Sequence, residues 1–161
     1  MPRLVAAAVA LLLVAPALAF TIRQTNPPIA WQPYTPEAFA AARDAGRTIM
    51  LEFTADWCGN CIGLETSTFH DPRTVEALKV YHVVPFRVDL SDQHASGWQI
   101  LRQISPVGAI PLSAIYAPHA SEPIQLAGLY SPTDLIEALR ATKGDDVPTS
   151  QPATLPTANV R

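Results

Sequence analysis

The chain has 161 residues, 48% hydrophobic and 16% charged, which suits one buried core with tails rather than several domains. Its formal net charge is -3, and no basic run is present to follow a phosphate backbone, which argues against nucleic acid as a partner. Only two cysteines occur, too few for a scaffold stapled by disulfides.

The N-terminus reads Met1-Pro2-Arg3, then an apolar stretch from Leu4 to Ala15, then Pro16-Ala17-Leu18-Ala19. One basic residue, a short apolar run and a small-residue ending form a secretory signal pattern over residues 1–19, with cleavage expected after Ala19. The run falls short of the roughly 20 residues that usually span a bilayer. An uncleaved N-terminal membrane anchor is the alternative, and either places the domain outside the cytoplasm.

Residues 20–34 contain Asn26-Pro27-Pro28 and read as an extended lead-in. Thr35-Pro36-Glu37 combines a hydroxyl cap, a first-turn proline and an early acid, so a helix is predicted to about Ala45, ended by Gly46. Asp71-Pro72 and Ser131-Pro132 repeat that start. Thr48 to Thr54 is a short apolar run, predicted as a buried strand, with one acid, Glu52, inside it. Ala55-Asp56-Trp57 then opens a helix from about Cys58 to Thr68.

A further helix is predicted from Pro72 to about Val80, a central strand from Val83 to Leu90, and a helix capped by Asp92 running to about Gln103. Pro106 and Gly108 break that helix; Ile110-Pro111 precedes a strand over Leu112 to Tyr116. Pro118 to Pro123 turns the chain into a neighbouring strand, Ile124 to Ala127. The last helix, Pro132 to about Thr142, carries Leu135, Ile136 and Leu139 on one face. The folded domain is thus placed at residues 35–143, and the Pro/Thr-rich tail 144–161 has too little apolar surface to offset its ordering entropy. The order of elements fits an α/β fold with a central mixed β-sheet flanked by helices on both faces.

The chemistry concentrates in Trp57-Cys58-Gly59-Asn60-Cys61, between a strand and a helix. A cysteine at a helix N-terminus faces unpaired N–H groups and the positive end of the dipole, which favour its thiolate. The second cysteine lies almost one turn on, so Cys58 is the candidate nucleophile and Cys61 the resolving thiol. An inert structural disulfide is the alternative. Glu52, six residues before Cys58, is a candidate proton acceptor for Cys61 if buried; at a sheet edge it would only face solvent. His70, His82, His94 and His119 have no metal-ligand spacing to one another or to the cysteines. No metal and no cofactor beyond the redox-active Cys58–Cys61 pair is expected. Trp31 and Trp98 read as packing residues.

The segment Leu51-Glu52-Phe53-Thr54-Ala55-Asp56-Trp57-Cys58-Gly59-Asn60-Cys61 resembles the active-site stretch of the thioredoxin superfamily, and Ile110-Pro111 resembles its cis-proline loop. The continuation Glu65-Thr66-Ser67-Thr68-Phe69-His70-Asp71-Pro72-Arg73-Thr74-Val75 is similar to the C-terminal periplasmic domain of the DsbD family of disulfide-interchange reductases. The resemblance implies a thioredoxin fold, with Cys58 attacking, Cys61 resolving and Glu52 as the buried acid. It also implies a substrate-contacting surface at Trp57, Gly59, Asn60, Ile110 and Pro111, with Arg87 near Glu52.

The activity it implies is a periplasmic thiol:disulfide reductase whose partners are client proteins with disulfides and a separate membrane-embedded thiol reductant as donor. This chain departs from the family in Ile62, where a lysine is common, and in Gly59-Asn60 between the cysteines. Asn60 brings no positive charge to the pair, which favours a reductant. A disulfide oxidase or isomerase, and a binding or assembly factor without turnover, are the other readings.

Overall fold

The computed structural model describes residues 29–144; the predicted signal segment and nearly all of the predicted tail lie outside them. The elements are β1 (Gln32–Pro33), α1 (Pro36–Asp44), β2 (Ile49–Thr54), α2 (Gly59–Leu64), α3 (Pro72–Val80), β3 (Val84–Asp89), α4 (Gly97–Ile104), β4 (Leu112–Tyr116), β5 (Ile124–Ala127) and α5 (Pro132–Ala141). A π-helical stretch, Glu65–Phe69, continues α2. The five strands run in the order β1-β3-β2-β4-β5. β1, β3 and β2 are mutually parallel, whereas β4 is antiparallel to both β2 and β5.

The three cap-proline pairs each start a helix. Thr35 accepts from the Ala38 N–H, Asp71 from the Arg73 N–H and Ser131 from the Asp134 N–H, each followed by proline in the first turn. Each oxygen satisfies a donor that a helix leaves unpaired, and proline there sacrifices no hydrogen bond.

Alternation along β2 sorts its side chains between two layers. Ile49, Leu51 and Phe53 pack on one side with Phe39 of α1 and Leu101 of α4. Met50 packs on the other with Leu64 of α2, Leu78 of α3 and Leu139 of α5. Glu52 shares the parity of Met50, so it enters the layer beneath α2 and its π-helical continuation.

Three expectations are revised. The end of the lead-in joins the sheet: Gln32 is in register with Phe86 of β3. The helix predicted from Asp92 begins only at Gly97. The Asp92 carboxylate instead accepts from the His94 N–H at 2.8 Å, and its carbonyl takes the Trp98 indole N–H at 2.9 Å. The same short acid that caps a helix can close a local turn, and here the turn wins. The helix after Cys61 widens to a π-turn at Glu65, where Thr66 Oγ1 donates to the carbonyls of Ile62 and Gly63.

Candidate active site

Cys58 is the N-cap of α2 with an extended backbone, and it is disulfide-bonded to Cys61 across a Cα–Cα distance of 5.3 Å. The Cys61 N–H points at Cys58 Sγ at 3.2 Å. The same N–H also donates to the Cys58 carbonyl at 3.1 Å; its approach to Sγ and the positive end of the helix dipole both favour a sulfur anion at Cys58. Cys58 retains 7% of its surface and Cys61 4%, so Cys58 is the more accessible sulfur-bearing residue by a small margin.

Around the pair, Trp57 and Ile62 are exposed large apolar side chains, and Gly59 and Asn60 are exposed as well. The Ile110–Pro111 peptide is cis. Pro111 is buried and Ile110 half-buried at the start of β4. The Pro111 carbonyl accepts from the Gly128 N–H at 2.9 Å, so the turn after β5 is tied to the proline loop. Gly128 has φ +74°, a conformation that side-chain-bearing residues rarely adopt.

Glu52 is buried, with 2% of its surface exposed, so the solvent-facing alternative is excluded. Burial pushes its carboxyl up to about 8; the Ser113 hydrogen bond pulls it down, Glu65 nearby pushes it further up, and Arg87 offsets part of the rise. The antiparallel register sets Ser113 of β4 directly opposite Glu52, and the Ser113 hydroxyl donates to Glu52 Oε2. Ser113 Oγ also meets the Tyr130 hydroxyl at 2.5 Å.

Arg87 lies beside Glu52 in the parallel register of β2 and β3. Its guanidinium, however, pairs with Glu65 of the π-turn and stacks over the Trp31 ring, 5.0 Å from its centroid. Trp31 in turn sets its ring edge-on to Phe69. The basic residue expected near Glu52 is therefore present in the neighbourhood but bonded to another acid. Glu65, Arg87, His70 and Cys61 line one open cleft of about 500 Å³ next to the disulfide.

The sequence reading missed Glu65, Ser113 and Tyr130. Ser113 carried a signal: it is a polar residue inside an otherwise apolar strand. Among the described residues, no group of three or more His, Cys, Asp or Glu side chains is placed to hold a metal ion. No helix among them is long and apolar enough to cross a membrane.

A thioredoxin-like family model matches residues 30–118, more than half of the chain. The chain belongs to the thioredoxin-like family. Within that family it is similar to the thiol:disulfide interchange protein DsbD of Ralstonia nicotianae, 32% identical over 108 residues, which cover 67% of this chain and 17% of the relative. The DsbD of Campylobacter jejuni is 29% identical over 93 residues, covering 58% of this chain and 16% of the relative. The thioredoxin-like chain thus spans about a sixth of the length of these relatives.

Among solved structures, the C-terminal domain of Neisseria meningitidis DsbD in the oxidised form superimposes with a TM-score of 0.54 at 22% identity, covering 70% of this chain and 99% of that one. A thioredoxin from Thermus thermophilus gives 0.53 at 23% identity, covering 72% and 89%. Both likenesses establish the thioredoxin fold, with its mixed sheet between two helical layers.

Proposed function

We propose that this chain is an exported thiol:disulfide oxidoreductase that works as a reductase of client-protein disulfides. The observation that carries the proposal is the Cys58–Cys61 disulfide at the start of α2. The names of the curated relatives support it, as does the signal pattern of residues 1–19. A separate membrane-embedded thiol reductant completes the reading as electron donor.

In the reduced protein the Cys58 thiolate attacks one sulfur of a client disulfide, forming a mixed disulfide and releasing one client thiolate. Cys61 then gives up its proton and attacks Cys58 Sγ. The second client thiolate leaves, and two electrons have passed from the dithiol to the client. Glu52 serves as acceptor of the Cys61 proton, and as its donor when the pair is reduced again. A carboxyl pushed up to about 8 exchanges a proton near neutral pH with little driving force lost, as general acid–base catalysis requires. Trp57, Gly59, Asn60, Ile110 and Pro111 form the surface that receives the client.

The test is a pair of variants in an insulin-reduction assay with dithiothreitol. Cys58→Ser is expected to abolish reduction, and Cys61→Ser to accumulate mixed disulfides with clients. Equal loss in both variants without trapped complexes would contradict the proposal. Full retention of reduction in Cys58→Ser would contradict it too.

A further inference from the structure

Glu52 is enclosed by groups from several elements, yet only hydroxyls bond it. Ser113 reaches it from β4, and Tyr130, from the turn before α5, bonds Ser113 and lies against Glu52 as well. The charged and titratable groups facing it are Glu65 of the π-turn, Arg87 of β3 and Tyr130. Glu65 and Arg87 are engaged with each other, and His70 Nε2 adds a 3.6 Å contact to Glu65. Tyr130 is held firmly. Its carbonyl accepts from Thr68 Oγ1 at 2.7 Å, and its ring meets Phe69 at 6.3 Å between centroids.

A hydroxyl is donor and acceptor at once, whereas an ammonium only donates. With Glu52 ionised, Tyr130 donates to Ser113 and Ser113 donates to the carboxylate. With Glu52 protonated, its own O–H donates to Ser113, and Ser113 turns its hydrogen to Tyr130. No heavy atom has to move. We propose that Ser113 and Tyr130 are positioning residues of the exchange reaction: a two-hydroxyl chain that reverses its donor direction as Glu52 gains and loses a proton. The buried carboxyl therefore has a partner in both states, where an unpaired polar group would be destabilised. This inference rests on the role given to Glu52 above.

The test separates the two. First, the Glu52 side-chain carboxyl is followed by ¹³C NMR titration of the oxidised protein, which needs no turnover. Ser113→Ala is expected to move the Glu52 midpoint upward by about one pH unit, because the ionised form loses a donor. Tyr130→Phe shifts it the same way by less, and Ser113→Thr restores it. A midpoint that stays in place in both Ser113→Ala and Tyr130→Phe overturns the hydroxyl chain, whatever the enzyme does.

Second, the pH profile of insulin reduction is measured for the same variants. The Ser113→Ala profile is expected to follow its NMR midpoint and to lose that displacement in a Glu52→Gln background. An NMR shift without a matching kinetic shift keeps the hydrogen-bonded chain but removes its part in catalysis, which overturns the positioning role.

Discussion

The guanidinium of Arg87 pairs with the Glu65 carboxylate, although strand register sets Arg87 beside Glu52. The π-turn is what makes this exchange of partners possible: widening the helix after Leu64 brings Glu65 over the cleft and Thr68 onto the Tyr130 carbonyl. π-turns of this kind recur at functional sites. Among the described residues, Glu52 is left without a salt bridge in a layer of apolar side chains.

Substitutions in this pair are expected to move Glu52 in opposite directions. Arg87→Met removes a cation that favours the ionised form, so the Glu52 midpoint rises. Glu65→Gln removes a nearby anion, so it falls. Each displacement is expected to be roughly one pH unit or less, read by carboxyl ¹³C NMR. Because the pair is partly exposed, its loss should lower stability by about 1 kcal/mol or less.

Stability should depend on pH in a way that isolates Glu52. Its folded-state value of about 8 stands above the ordinary 4.5, so between those values the native state binds more protons than the unfolded chain. The unfolding free energy of the oxidised protein therefore falls as pH rises from about 4.5 to about 8 and levels off above. Asp89, lowered chiefly by its Ser91 hydrogen bond, acts the other way and at lower pH: its contribution is present above its unfolded value and lost on acidification. Urea titrations from pH 5 to 9 check this. Glu52→Gln should flatten the decline and be the more stable protein at the alkaline end.

Backbone proximity gives a third prediction. A methyl at Gly97 would lie 2.3 Å from Val88 Cγ1 and 3.0 Å from Leu90 Cδ2, inside a packed layer whose β-branched valine is stiff. Gly97→Ala is expected to lose about 1–3 kcal/mol. Nothing lies within 4 Å of the corresponding position at Gly59, so Gly59→Ala should change urea stability by less than about 1 kcal/mol. Equal losses would contradict this packing.

Much of this architecture was legible because local rules agreed with one another. Thr35-Pro36, Asp71-Pro72 and Ser131-Pro132 mark helix starts by a mechanism that does not depend on tertiary context, and Leu112–Tyr116 and Ile124–Ala127 are strands as predicted. Asp92 was misread because an acid before a helix and an acid closing a turn look alike in sequence. The π-turn could not be read at all, since one widened turn leaves the apolar spacing almost unchanged. In the site, Cys58 and Cys61 announce themselves by spacing, and Glu52 by standing in an apolar strand. The partnership of Glu52 with Ser113 depends on β2–β4 register, and that of Tyr130 on a turn fixed from Thr68, both long-range facts.

The reduction potential of the Cys58–Cys61 pair, measured in glutathione and dithiothreitol buffers, tests the proposed direction of electron flow most directly. Thioredoxin sits near about -270 mV and DsbA near about -120 mV. A value below about -220 mV is expected for a donor of electrons to client disulfides. A value above about -180 mV would contradict that role and make the protein an oxidant or isomerase.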